Sequence, residues 1–103
     1  MKKSYLTVTM DINPNEMESF GAYSSQALPL FKSKGGEIVL RTKVEKVLAG
    51  SVSQILAVMS FPSCEAIEEI FESEEYKKLI PLRDKAFNNL TIHTSMDFDP
   101  SEK

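Results

Sequence analysis

A chain of 103 residues has room for one domain-sized core and not for two. With 42% hydrophobic and 26% charged residues it is neither a disordered nor a membrane composition; its longest apolar runs, such as Ile55–Met59, fall far short of the ~20 residues a span requires. A net charge of −3 with scattered basic residues speaks against nucleic-acid binding, and a single cysteine, unable to form an intrachain disulfide, fits a reducing, cytoplasmic setting.

The N-terminus, Met1 to Tyr5, carries two lysines but no apolar stretch follows, so no secretory leader is expected. Tyr5–Ile12 alternates Leu6, Val8, Met10 and Ile12 with Tyr5, Thr7, Thr9 and Asp11, the period of a half-buried strand. Asn13-Pro14-Asn15-Glu16 opens a helix: Asn13 as N-cap, Pro14 at the first helical position, Glu16 reaching back in a capping box. Met17, Phe20, Ser24, Ala27, Leu28 and Phe31 recur at helical spacing, Pro29 is expected to kink the helix, and Gly35-Gly36 to end it.

Glu37–Lys43 reads as a second strand, followed by a ragged turn to Gly50. Ser53–Phe61 reads as a third. Ile55, Ala57, Met59 and Phe61 are apolar on one of its faces, and Leu56 and Val58 on the other, so it is covered on both. Ser63 caps a second helix with Ile67, Ile70 and Phe71 as its stripe, and the acidic run Glu65, Glu68, Glu69, Glu72, Glu74 and Glu75 reads as a solvated face. Ser73 caps a further stretch carrying Tyr76, Leu79, Ile80, Arg83, Ala86 and Phe87, which Pro81 breaks and Asn88-Asn89 ends. Leu90–Asp97 alternates again as a fourth strand, leaving a short polar tail.

The order is strand, helix, strand, strand, helix, strand. It specifies an α+β, ferredoxin-like βαββαβ fold: one domain over 1–103, ordered from about 4 to 97, with a four-stranded antiparallel sheet and both helical regions on one face. The other face is left bare, with Leu56 and Val58 flanked by Tyr5 and Val39, and with Thr7, Arg41 and His93 as its polar groups. An exposed apolar patch calls for a cover, so a homodimer through this face is expected.

Zinc-spaced Cys/His clusters, a phosphate loop and a nucleophile elbow are absent, and one histidine cannot build a multi-histidine metal site. No metal and no cofactor is therefore expected. Arg83, on an apolar stripe, either locks its helix to the sheet or anchors an anionic ligand. Tyr76, on the same stripe, is either a core tyrosine or a proton-moving group beside Arg83. His93, the one histidine and so the one side chain of the type suited to proton transfer near neutrality, is a second candidate for that role, against the plainer reading of a surface or interface residue. Arg41 is either a solvated charge or a second ligand contact. Cys64, near a helix start, has no histidine evidently placed to activate it.

Phe61-Pro62-Ser63, Ala66, Phe71-Glu72-Ser73-Glu74-Glu75-Tyr76 and Pro81-Leu82-Arg83 form an ordered set with Ala27-Leu28-Pro29-Leu30, Gly35-Gly36, Arg41 and Leu48-Ala49-Gly50. Across residues 5–97 this set resembles a family of small bacterial proteins of unknown function in the dimeric α+β barrel superfamily. The resemblance implies a ferredoxin-like protomer, a face-to-face sheet dimer and a pocket between sheet and helices, near Arg83 and Tyr76. Superfamily relatives include cofactor-independent monooxygenases, haem-degrading enzymes, lactone isomerases and dehydratases. Asn13 stands where that family has Asp, the chain has no Trp, and the Asn/Trp/His set of the haem-degrading relatives is missing, so haem chemistry does not carry over. Two functions are open at this point: a cofactor-independent enzyme acting on a small anionic or aromatic metabolite, and a non-catalytic ligand-binding or structural dimer.

Overall fold

The computed structural model describes residues 3–101; Met1 and Lys2, part of the expected leaderless N-terminus, lie outside the described residues, as do Glu102 and Lys103. The alternating first segment forms β1 (Ser4–Ile12), with Leu6 driven into the core by its apolar side chain and Thr7 turned away from it. Asn13 caps the next turn, its Oδ1 accepting from the Asn15 N–H at 3.0 Å. The capping box is not made. The Asn13 N–H donates instead to the Ala86 carbonyl at 2.8 Å, and the Glu16 carboxylate accepts from the Ser19 hydroxyl at 2.8 Å.

α1 (Met17–Ser33) follows a short 3₁₀ turn at Pro14–Glu16 and continues past the exposed Pro29 to Ser33. It ends where Gly35 takes a φ of +89°, a left-handed conformation that favours glycine. β2 (Glu37–Lys43) and β3 (Ile55–Phe61) come next; residues 53–54, expected to begin the strand, lie outside it. Ser63 and Ser73 cap α2 (Cys64–Glu72) and α3 (Glu74–Lys77), their hydroxyls accepting from the Ala66 and Tyr76 N–H groups at 3.2 Å each. Pro81 sits in the first turn of α4 (Ile80–Ala86), where its missing N–H is no loss.

α4 runs directly into β4 (Phe87–Met96), so Asn88-Asn89 lies within the strand and does not end a helix. The reason is local. Asn89 donates to the Asp11 carboxylate at 3.0 Å, and the β1–β4 register shifts between Asp11 and Ile12.

The sheet order is β2-β3-β1-β4, antiparallel throughout, giving the α+β ferredoxin-like fold. Its core joins Leu6, Met59 and Phe61 of the sheet to Tyr23, Ala27, Ile67, Ile70, Tyr76 and Leu79 of the helices. Pairing defines the opposite face row by row: Leu40–Val58–Thr7–His93, then Thr42–Leu56–Thr9–Thr91. That face carries the aliphatic side chains Leu40, Leu56 and Val58 together with Thr42 over β2 and β3, and Thr7, Thr9, Thr91 and His93 over β1 and β4.

One residue of β2 reverses an expectation. The β2–β3 register passes from Ile38↔Met59 to Leu40↔Val58, skipping Val39. This bulge reverses the parity of the rest of the strand. Arg41 therefore pairs with Ala57 and faces the helices, not the bare face, and Leu40 takes the place expected for Val39.

Candidate functional site

Between α1 and the sheet the side chains leave a cavity of about 200 Å³. Its floor is the row Arg41–Ala57–Val8–Ile92 with Met10, Ile55 and Leu90 beyond it, and its roof is Phe20, Tyr23, Ala27 and Phe31 of α1. The walls are almost entirely hydrocarbon. Tyr23, Ser24 and Arg41 supply the polar side chains. Tyr23 and Ser24 are adjacent on α1, and Arg41 comes from the edge strand β2, where it is exposed and, among the described residues, has no carboxylate within ion-pair distance. A guanidinium at the rim of an apolar cavity favours an anionic group there.

Behind Tyr23 lies a buried polar chain. Its hydroxyl is 2.8 Å from that of Tyr76, and Arg83 Nη1 donates to the Tyr76 oxygen at 3.2 Å. Tyr76 is 1% exposed and Tyr23 9%. Phe71 packs on the Tyr76 ring at 4.4 Å and Phe87 meets the Tyr23 ring edge-on at 5.9 Å, so both phenols are held by aromatic neighbours. The Arg83 guanidinium also stands 5.7 Å from the Tyr76 ring centre.

Burial, reinforced by the hydrogen bond with Tyr76, pushes the Tyr23 phenol well above its ordinary range. Tyr23 is thus protonated at any physiological pH. For Arg83, burial opposes the charge, but the bond to Tyr76 and the Asp84 carboxylate outweigh it and raise its pKa. The contact to Asp84 is long, 3.4 Å, and Asp84 is solvent-exposed, so this pair adds little stability.

The four residues singled out in the sequence do not converge. Tyr76 and Arg83 touch each other but stand outside the cavity lining, so the pocket is displaced from where the resemblance put it, next to Tyr23 instead. Arg41 lines the cavity from the far side. His93 is exposed on the bare face opposite Thr7, with the sheet between it and the cavity. The Cys64 thiol meets the Glu68 carboxylate at 3.4 Å and the Thr94 hydroxyl at 3.9 Å. Among the described residues no group of three His, Cys, Asp or Glu side chains is placed to hold a metal, and no helix is long and apolar enough to cross a membrane.

Tyr23 is the residue the sequence did not single out. Its position three after Phe20 and four before Ala27 placed it on the buried stripe of α1, and a phenol there needs a partner.

Residues 3–94 match the model of a family described as a domain of unknown function, DUF1330. No curated protein matches the chain. Among solved structures it is similar to a protein of unknown function, RPA0582, from Rhodopseudomonas palustris: 18% identity over 96% of this chain and 85% of that one, TM-score 0.81. It is also similar to a candidate antibiotic biosynthesis monooxygenase from Bordetella bronchiseptica (15% identity, 95% and 99% covered, TM-score 0.67). A third is described as a dimeric protein of unknown function with a ferredoxin-like fold, from Bacteroides fragilis (7%, 92% and 96%, TM-score 0.59). At these identities the likeness is one of fold.

Proposed function

The chain belongs to the DUF1330 family, whose function is unknown, and we propose from its own geometry that it binds a small aromatic acid between α1 and the sheet. The observation that carries this reading is the cavity of about 200 Å³ with hydrocarbon walls and Arg41 at its rim. An apolar cavity of about 150 Å³ is enough to take up benzene, so the space suits one substituted ring. Arg41 supplies the charge for its acid group, and burial of the ring supplies most of the affinity.

The protein works as a homodimer, its bare face closed by a second copy over Leu40, Leu56 and Val58. The patch itself and the dimeric ferredoxin-like neighbour support this arrangement. Turnover without a cofactor is the finer form of the reading, supported by the phenols next to the cavity and by the fold of the monooxygenase-like neighbour. In that form Tyr23, held protonated, donates to the substrate while Arg83 and Tyr76 orient it. His93 takes part only if the substrate reaches the space between paired sheets.

Thermal melting against a panel of substituted benzoates tests binding: members that fit should raise Tm, and Arg41→Ala should remove most of the rise for charged members while leaving the unliganded Tm essentially unchanged. A panel without effect on the wild type overturns the reading. Incubation of the same acids, with quinones and small lactones, against wild type and Arg83→Ala separates an enzyme from a binder.

A further inference from the structure

The protons of the phenol chain give this site a specificity. A guanidinium only donates, so in the Arg83–Tyr76 contact the Tyr76 oxygen is the acceptor. Tyr76 then has one proton left to give. It is 1% exposed, and the Tyr23 oxygen, at 2.8 Å, is its remaining hydrogen-bond partner among the described residues. In the reverse orientation Tyr23 would donate to Tyr76 and leave the Tyr76 proton buried with nothing to receive it, an arrangement that folded proteins avoid. The bonds therefore run one way, from Arg83 to Tyr76 to Tyr23. Each donation makes the next hydroxyl a better donor. Tyr23 is last in the chain and lines the cavity.

We propose that Tyr23 offers its hydroxyl proton to the cavity, and that the ligand carries a hydrogen-bond acceptor, a carbonyl oxygen conjugated to its ring, to receive it. The inference rests on the cavity being the binding site and names the class of compound it selects: an aryl ketone or related carbonyl compound with an acid group. Tyr76 and Arg83 are positioning residues in this arrangement, outside the lining and acting through Tyr23. Ser24, the other hydroxyl-bearing residue of the lining, is the competing explanation for any preference among ligands.

Two probes of similar size decide the matter: 4-acetylbenzoate, which has the acceptor, and 4-isopropylbenzoate, which lacks it. Both keep the carboxylate for Arg41. Titration by ligand-observed NMR should give the acetyl compound roughly tenfold tighter binding to the wild type, the size of one well-made hydrogen bond. Tyr23→Phe should erase that ratio while 4-isopropylbenzoate binds as before, and Ser24→Ala should leave the ratio intact. Equal affinities in the wild type overturn the inference with the binding site standing. So does a preference that survives in Tyr23→Phe, or one lost in Ser24→Ala alone. If neither compound binds the wild type, the binding site and the inference fall together. Should Tyr23→Phe not fold, the wild-type ratio and its response to Ser24→Ala still decide between the two hydroxyls.

Discussion

At the scale of single residues, the Arg83–Tyr76–Tyr23 chain ties α4, α3 and α1 into one polar cluster inside an aromatic shell. Its stability should show at high pH. The folded state holds Tyr23 neutral at pH values where the unfolded chain, with its phenol near about 10, already ionises. The contribution is complete below that value and is lost as the pH rises above it. Melting curves between about pH 9 and 11 should show a steeper decline for wild type than for Tyr23→Phe; parallel curves would remove the buried phenol as the cause. Arg83→Met takes away the donor and leaves the Tyr76 oxygen short of one partner, at about 1–3 kcal/mol by denaturant titration. Arg83 was readable as an arginine needing a partner because it sits on an apolar stripe. Tyr76, seven residues before it on the same stripe, was within reach of that reading; the next link was not, since Tyr23 and Tyr76 lie 53 positions apart and only packing brings them together.

At the scale of elements, the legible features were those written in local chemistry. The serine caps at Ser63 and Ser73 and the glycine stop after α1 each depend on a few neighbouring residues, and the structure makes them all. The bulge at Val39 was not legible. Ile38, Val39 and Leu40 are all apolar, so nothing in the alternation of β2 marks which of them is skipped, and the face of Arg41 turned on that residue. The cavity is equally silent in sequence, because it is a shortfall in how α1 meets the sheet. Gly36 shows how tightly the end of α1 fits elsewhere: a Cβ there would stand 2.7 Å from the Phe61 ring and 2.8 Å from the Phe31 carbonyl. Gly36→Ala should cost about 1–3 kcal/mol in a denaturation experiment, since the Phe31 carbonyl is backbone and the Phe61 ring is core. Asp11 pins the start of β3 and of β4, accepting from the Gln54 N–H at 2.8 Å and from Asn89. Those bonds hold its carboxyl below the ordinary range, so their support is present above about pH 4 and lost as the pH falls further. Hydrogen exchange at the Gln54 amide should accelerate in Asp11→Ala at neutral pH, and the acid limb of the stability curve should flatten.

At the scale of the whole molecule, the protein is a thin slab, 47 by 39 by 17 Å, one layer of helices on one sheet. A slab that thin has a second large face, and here half of it is apolar. The Leu40–Val58 and Thr42–Leu56 pairs put three aliphatic side chains side by side, while Thr7, Thr9 and His93 occupy the other half. Two such faces packed about 10 Å apart bury the aliphatic half without stranding the hydroxyls, which can bond across the seam or to trapped water. The exposed apolar side chains Val44, Val47, Leu48 and Val52 all lie in the connection between β2 and β3, and Leu48 is 88% exposed. Light scattering at micromolar concentration should therefore give twice the 11.6 kDa of one chain. Val58→Asp places a charge in the middle of the aliphatic row on a face that contributes nothing to the protomer's own core. It should halve the mass while leaving the circular dichroism spectrum of the protomer intact. A wild type that scatters as a monomer sinks the dimer. A variant that stays dimeric moves the interface off this face, and the cavity, on the far side of the sheet, should bind its ligand equally well in either outcome.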